Sequence, residues 1–191
     1  YESSVNIVLS ASGLAAARTL QKKYGTPYVL GLPVGSTFSD AFFRTVNDAA
    51  SAPHVLPAAA AYTAYASSSA AAPCGEKPLY VVGEAVCASS IKAALRAAGA
   101  ADVRVLCPTE TLGVPLSAED SAVSSEKEIT SLLRGARCVI ADPLFERVLP
   151  RDGSIRFVRL PHEAYSGRMY RNEIPVLIGH SFDKWLKGAQ L

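Results

Sequence analysis

The sequence predicts an α/β fold in which mainly parallel sheets are covered by helices on both faces. Short runs of apolar, β-branched residues, such as Val5–Leu9 and Leu79–Val82, are typical of strands that are buried on both sides. Each of these runs is followed by a segment whose apolar residues recur at helical spacing, and glycines separate the two kinds of segment. Strands that alternate with helices in this way indicate a Rossmann-like architecture.

The first 50 residues predict a strand, a helix, a second strand and a second helix. Val5–Leu9 is the first strand, and Gly25 ends a helix whose apolar face is formed by Leu14, Ala17, Leu20 and Tyr24. Pro27–Leu30 has the pattern of the second strand. Ser39 and Asp40 predict the start of the second helix, because both side chains can accept hydrogen bonds from a first turn.

Residues 51–77 predict a connector between two units. Alanine, serine and proline dominate this stretch, and Pro53, Pro57 and Pro73 interrupt any longer pattern. Ala58–Ala66 predicts a short helix, because alanine has the highest helix propensity. His54 lies in this connector and is expected to be exposed.

Residues 78–191 repeat the alternation and predict a C-terminal Rossmann-like domain. Its strands are predicted at Leu79–Val82, Val103–Leu106, Cys138–Ala141, Ile155–Leu160 and Val176–Ile178. Ser125 and Glu128 form a capping box at the start of one of its helices, and a short helix is predicted over Ser181–Lys187. The stretch Pro108–Ser124 is polar and predicts a loop.

The composition excludes several classes of protein. Hydrophobic residues make up 49% of the 191 residues and charged residues 19%, so the chain is too apolar to be disordered. The 19 basic and 17 acidic residues are spread along the chain and give a net charge of +2, which does not indicate a nucleic-acid binder. Its apolar stretches are far shorter than the roughly 20 residues of a membrane span, and no membrane association is expected. We see no signal peptide, and a chain that opens at Tyr1 is expected to be a piece of a longer protein.

The four cysteines do not have the spacing of a disulfide scaffold or a metal site. No two of them are separated by two to four residues, as zinc sites and iron–sulfur motifs require; they are Cys74, Cys87, Cys107 and Cys138. Cys87, Cys107 and Cys138 fall in or beside predicted helices and strands, where we expect them to be buried. A reducing, cytoplasmic setting follows from this usage.

The segment Pro161–Arg171 is the first candidate binding site. It follows a predicted strand, and the loops at the carboxyl ends of parallel strands are where such sheets bind ligands. His162, Arg168 and Tyr170 could together hold an anionic or planar group. The alternative is structural: His162 would hold a turn by hydrogen bonds, and Arg168 would pair with Glu163. No glycine-rich nucleotide fingerprint is present, since Gly83 stands alone after its strand.

His180 is the second candidate. It ends the predicted strand Val176–Ile178 and precedes a predicted helix. A histidine in this position could ligate a metal or contact a substrate. Capping the helix is the alternative.

Several segments, taken in order, resemble the nitrogenase component 1 type oxidoreductases. Asn6–Ser10, Gly13–Ala17 and Tyr24–Tyr28 are similar to a strand, helix and strand that close the middle Rossmann-like domain of each subunit in that family. Ala141–Leu144 and Leu160–Arg168 resemble the last domain of less characterised nitrogenase-like members. The resemblance covers most of the chain except the connector. It implies that residues 1–50 end a middle domain and that residues 78–191 form the last one.

The family also implies an activity, cofactors and partners. Its subunits have three Rossmann-like domains, assemble into oligomers with homologous subunits, and receive electrons from an ATP-dependent iron–sulfur reductase. An iron–sulfur or other metal cluster is expected in the full-length protein, held by cysteines of an N-terminal domain that is not in this sequence. None of the four cysteines here matches those ligands, so no cofactor is expected on the fragment, which alone is expected to be inactive.

A further resemblance concerns His180. Ile174–Pro175 and His180–Asp183 are similar to the segment of the molybdenum–iron α subunit in which a histidine ligates the cofactor, and His180 matches that histidine. The sequence departs from the family immediately afterwards. The family's Ser-Gly-Pro-Tyr is replaced by Lys184–Lys187.

Two hypotheses of function follow from the resemblance. The first is that the chain forms walls of the substrate or cofactor cavity in a component 1 type oxidoreductase. The second is a non-catalytic ligand-binding or cofactor-assembly scaffold with the same fold. Cysteines encoded upstream of Tyr1, each after a strand pattern, would favour the enzyme.

Overall fold

The computed structural model describes residues 3–51, 59–60 and 77–190. The strands in these ranges are β1 (Asn6–Val8), β2 (Tyr28–Leu30), β3 (Ala59–Ala60), β4 (Leu79–Val82), β5 (Val103–Cys107), β6 (Ser121–Ala122), β7 (Cys138–Ala141) and β8 (Arg156–Arg159). The helices are α1 (Leu14–Tyr24), α2 (Ser36–Ser51), α3 (Ala85–Ala97), α4 (Glu126–Leu133), α5 (Gly167–Tyr170) and α6 (His180–Gly188). None of the described helices is long and apolar enough to cross a membrane.

The strands form two sheets, and every strand pair within them is parallel. The smaller sheet has the order β1-β2-β3, and the larger has the order β6-β5-β4-β7-β8. In the larger sheet β4 is central and pairs with β5 on one side and β7 on the other. These sheets and their flanking helices confirm the predicted α/β class. The domain boundaries at residues 50 and 78 remain a prediction.

The apolar strand runs arise because both faces of the larger sheet are buried. Alternate residues of β4 enter different cores: Leu79 and Val81 face one, and Tyr80 and Val82 face the other. The first core lies between the two sheets, and the second lies under α4. A strand buried on both faces has no polar side, as the sequence pattern indicated.

Helix α3 lies in the middle of the first core. All eleven residues from Ala85 to Leu95 are buried, so the helix has no solvent-facing side over this length. Its apolar residues share one core with Val29 and Phe38 of the smaller unit. The Ser90 hydroxyl donates to the Val86 carbonyl (2.8 Å) and accepts from the Leu32 backbone N–H (3.0 Å).

Lys92 of α3 is a buried cation with two carboxylate partners. Its Nζ lies 2.6 Å from Asp120 Oδ1 and 2.9 Å from Glu119 Oε1, and it also donates to the Ser117 hydroxyl at 2.7 Å. Asp120 in turn accepts from the Val105 backbone N–H at 2.7 Å. These bonds tie residues 117–120 to α3 and β5. Each charge in the network has a partner, as buried charges require.

Three predicted elements differ from the structure. The predicted loop Pro108–Ser124 contains the two-residue strand β6, because the backbone there pairs in parallel with the end of β5. Val176–Ile178 is not a strand: Ile178 makes only isolated bridges to Val34 and Gly35, and it is largely exposed. A strand needs a longer ladder than a bridge at a single position provides. Helix α2 begins at Ser36, before the predicted caps Ser39 and Asp40, because Asp183 Oδ1 accepts from the Ser36 backbone N–H (3.2 Å) across the fold.

The connector gives one further correction. Residues 59 and 60, predicted to be helical, form β3 and pair in parallel with β2. Backbone hydrogen bonds to a neighbouring strand override the helix propensity of alanine there. The rest of the predicted helix, together with His54 and Cys74, lies outside the described residues.

Candidate functional site

The larger sheet reverses its winding between β4 and β7. The chain runs from β4 outward to β5 and β6, and then returns to the other side of β4 to form β7 and β8. At such a switch point the loops separate and leave a crevice beyond the carboxyl ends of the strands, which is where these folds bind ligands. The crevice here is lined by residues that follow β4, β7 and β8, among them Glu84, Cys87, Asp142, His162 and Tyr165.

Glu84 occupies the N-terminus of α3 with its own carboxylate. Its Oε2 accepts from the backbone N–H groups of Val86 (3.1 Å) and Cys87 (3.0 Å). Its Oε1 accepts from the Ala11 N–H (2.8 Å), which begins a short 3₁₀ turn after β1. Dinucleotide-binding sheets place a phosphate at this helix N-terminus. Here the N–H donors already have an anionic partner, in agreement with the missing glycine fingerprint.

Asp142 fixes the loop that follows β8. This carboxylate is only 2% exposed, and its Oδ1 accepts from the Leu144 N–H at 3.0 Å. Its Oδ2 accepts from the His162 N–H (2.9 Å), the Ser166 N–H (3.3 Å) and the Ser166 hydroxyl (2.6 Å). The turn 162–166 is therefore held against the end of β7 by a single buried charge.

Tyr165 fills most of the crevice. Its ring packs at right angles to Phe145 (5.5 Å between centroids) and lies 5.8 Å from the His162 ring. The space left beside it is about 20 Å³, which is the size of one water molecule. Burial raises the pKa of Tyr165 to about 12. The side chain of Thr109 is a neighbour, but no described atom is in hydrogen-bonding geometry with the buried Tyr165 hydroxyl.

The structure places the three residues predicted for the first site in different surroundings. His162 is half-buried, and its Nδ1 accepts from the Ala164 N–H at 3.1 Å, which is the turn-holding role of the structural alternative. Arg168 is exposed. Tyr170 lies under the Arg159 guanidinium, 4.9 Å from its ring centroid.

Glu163 has a different partner from the one predicted. The alternative expected Arg168 to pair with Glu163, but the Glu163 carboxylate pairs with Arg171 at 2.9 Å. The Glu163 carboxylate can lie against the backbone of Gly167 because that residue has no side chain. A Cβ at position 167 would collide with the carboxylate. Among the described residues Arg168 makes no ion pair.

His180 lies at the first residue of α6, away from the switch-point crevice. Its side chain is 88% exposed, and its Nδ1 lies 3.3 Å from Asp183 Oδ2. The bond from Ser36, assisted by His180, lowers the pKa of Asp183 despite partial burial. In the described part of the chain, no three His, Cys, Asp or Glu side chains are grouped so that they could hold a metal.

The three cysteines in the described part of the chain are not grouped as ligands of an iron–sulfur cluster. Cys87, Cys107 and Cys138 are buried free thiols, as predicted. Burial and the nearby Glu84 carboxylate raise the pKa of Cys87 to about 12, and burial also raises that of Cys138. A thiol must lose its proton to ligate iron, and burial disfavours that loss at both of these residues. Cysteine ligands for a cluster would therefore have to come from outside the described residues.

The roles of Glu84 and Asp142 were hard to predict from the sequence. Each follows a strand and precedes a helical turn, where an aspartate is a common N-cap but a glutamate is not. That signal is local. The contacts to Ala11 and to the turn 162–166 depend on segments 73 and 20 or more residues away.

Comparisons with known proteins bear on the family. No curated protein matches the chain. A ferredoxin reductase of carbazole 1,9a-dioxygenase, in its FAD apo form, is 21% identical over 46% of this chain, with a TM-score of 0.26. The chain spans about a third (34%) of that structure, and so low a score supports no argument. Residues 1–131, well over half of the chain, match the family described as nitrogenase component 1 type oxidoreductase, and the chain therefore belongs to that family.

Proposed function

We propose that this chain forms part of the wall of a substrate or cofactor cavity in a component 1 type oxidoreductase. The observation that carries the proposal is the family match over residues 1–131. The carboxyl-end loops support it, because Glu84 and Asp142 hold loops of both units rigidly in place at one edge. Rigid, well-bonded loops are what a cavity wall requires.

Within this proposal Arg168 is the residue we expect to contact an anionic ligand. It is exposed, and among the described residues it has no carboxylate partner, whereas Arg171 is already paired with Glu163. Tyr170 lies in the same short helix and His162 in the turn before it. We propose these two as neighbours of the ligand.

The cluster and the partners complete the proposal. Electrons would come from an ATP-dependent iron–sulfur reductase, and a homologous subunit would complete the oligomer. A cluster, when bound, would supply the redox chemistry, and its cysteine ligands would come from outside the described residues. His180 is exposed enough to contact such a group, and we propose it as a contact from this chain.

The test measures electron acceptance. The protein that contains this chain is prepared anaerobically and mixed with a reduced ATP-dependent iron–sulfur reductase. Oxidation of the reductase is then followed by its absorbance, with MgATP and with MgADP. We expect oxidation that requires MgATP. Ligand binding without any MgATP-dependent oxidation would overturn the proposal and leave the scaffold hypothesis.

Arg168→Ala tests the wall in the same assay. We expect the rate of MgATP-dependent oxidation to fall tenfold or more, about 1.4 kcal/mol, with an unchanged melting temperature. Arg151→Ala, at an exposed arginine on the turn before β8, is the matched control and should have full activity. A lower melting temperature with full activity in Arg168→Ala would contradict the assignment.

His180→Ala should lower the metal content of the purified protein, and an unchanged content would exclude His180 as a ligand.

A further inference from the structure

A second space opens at the carboxyl edge of the larger sheet, on the far side of Phe145 from the filled crevice. It is a cleft of about 240 Å³ between the start of α4 and the 3₁₀ segment Pro143–Val148 that follows β7. A neighbouring groove of about 460 Å³ shares Pro108, Val123 and Ser124 with it. The switch-point crevice has a free volume of about 20 Å³, so the cleft and the groove beside it are both much roomier than the crevice.

The floor and walls of the cleft are apolar. Val123 and Ile129 form the floor and are each 7% exposed. Leu144, Phe145 and Val148 form one wall and are only partly buried. Three large apolar side chains from one short segment thus face an open space, and they would lose contact with water if a flat apolar molecule entered it.

The rim of the cleft carries charges without partners. The Arg147 guanidinium is exposed and has no ion pair or side-chain hydrogen bond among the described residues. The Glu126 carboxylate lines the same cleft and does not pair with Arg147. The Ser125 hydroxyl is already used, since it accepts from the Glu128 N–H at 3.3 Å. Arg147 is therefore the group at this rim that is free to bind an anion.

We infer that this cleft binds a small molecule with a flat apolar body and one anionic group. The apolar body would lie on Val123, Ile129 and Phe145, and the anionic group would pair with Arg147. A hydrogen-bond donor on the ligand would face Glu126. This inference does not depend on the proposed function, because none of the residues proposed there to contact a ligand lines the cleft.

The test uses a pair of fluorescent probes of matched shape. 1-Anilinonaphthalene-8-sulfonate has flat apolar rings and one anionic group, and N-phenyl-1-naphthylamine has the same rings without the charge. We expect saturable, one-to-one binding of the sulfonate probe to the whole chain. Arg147→Gln should weaken that binding fivefold or more and change binding of the neutral probe less than twofold. Glu126→Gln should leave sulfonate binding equal or tighter.

Two further variants make the result decisive. Ser124→Trp places a large ring in the cleft and should abolish binding of both probes; Ser124 is exposed, and only its backbone N–H is used, by Glu128. Arg151→Gln, outside the cleft, is the charge-matched control and should bind both probes like the parent chain. Binding that does not saturate, or that falls equally in Arg147→Gln and Arg151→Gln, would overturn the inference, as would full binding by Ser124→Trp.

Discussion

Removing the Asp142 carboxylate should release the turn 162–166 from the end of β7. Asp142→Ala would leave three donors without their acceptor, namely the backbone N–H groups of Leu144 and His162 and the Ser166 hydroxyl. The Ser166 N–H would keep its other acceptor, the His162 carbonyl, at 3.2 Å. Ser166 is 1% exposed, so its hydroxyl is the donor for which water can least well replace the lost acceptor. An unsatisfied buried donor costs about 1 to 3 kcal/mol, and we expect the free energy of unfolding to fall by about 3 to 5 kcal/mol in total.

Asp142→Asn should give a smaller loss of about 2 kcal/mol. The amide oxygen can accept the three bonds from the turn, but the amide NH₂ then faces the Leu144 N–H, and the charge that strengthens these bonds is gone. Asp152→Ala is the matched control. Its carboxylate also accepts a backbone N–H, from Ser154, but it is fully exposed, so the unfolding midpoint should not change.

The assay is urea unfolding, followed by the fluorescence of Trp185, the single tryptophan, and by far-UV circular dichroism. A local readout is the rate at which Cys87, which lines the same crevice, reacts with a thiol reagent. We expect Asp142→Ala to raise that rate. A loss below about 1 kcal/mol without faster labelling of Cys87 would refute the role given to this carboxylate.

Three further predictions concern other parts of the molecule. Burial raises the pKa of Glu119, but hydrogen bonds from Lys92 and Arg96 outweigh it and lower the pKa from 4.5 to about 2. The stabilisation of the fold by ionised Glu119 is therefore complete above pH 4.5 and is lost as the pH falls towards 2. In an acid titration, the free energy of unfolding of Glu119→Gln should depend less steeply on pH than that of the parent chain. Tyr165→Phe should change the free energy of unfolding by less than about 1 kcal/mol, because its buried hydroxyl has no partner to lose; a larger loss in urea unfolding would show a bond to Thr109. Gly35→Ala should lower stability by about 2 kcal/mol, since Gly35 has a φ of +66° and a Cβ would lie 3.1 Å from Phe182; an unchanged melting temperature would contradict this.

The sequence predicted β4 and β7 well because those two strands are buried on both faces. It missed β6, whose two residues are not buried and lie in the predicted loop Pro108–Ser124. Leu79–Val82 and Cys138–Ala141 have the same bounds in the prediction and in the structure. Every residue of such a strand is apolar because both faces are buried. A short run of apolar residues in the sequence is therefore enough to identify the strand. The start of α2 was predicted too late because Asp183, which caps it, is 147 residues away.

The candidate site was less predictable, for a physical reason. A loop such as Pro161–Arg171 can be placed at the carboxyl edge from its position after a strand. Which of its side chains point inward depends on partners elsewhere in the chain. Tyr165, which enters the crevice, was not singled out, whereas Arg168, which was, is exposed. The turn is set by Asp142, and no spacing in the sequence connects that residue to Ser166.

The burial of α3 on all sides has a consequence for synthesis of the chain. The smaller sheet comes first in the sequence, but the helix that covers it comes from residues 85–97. While a ribosome makes residues 1–84, the apolar faces of Val29, Phe38 and Phe42 lack part of their packing. We therefore expect β1, β2 and α2 to gain protection from proteases only after α3 has left the exit tunnel. Nascent chains stalled before and after that point would show the difference.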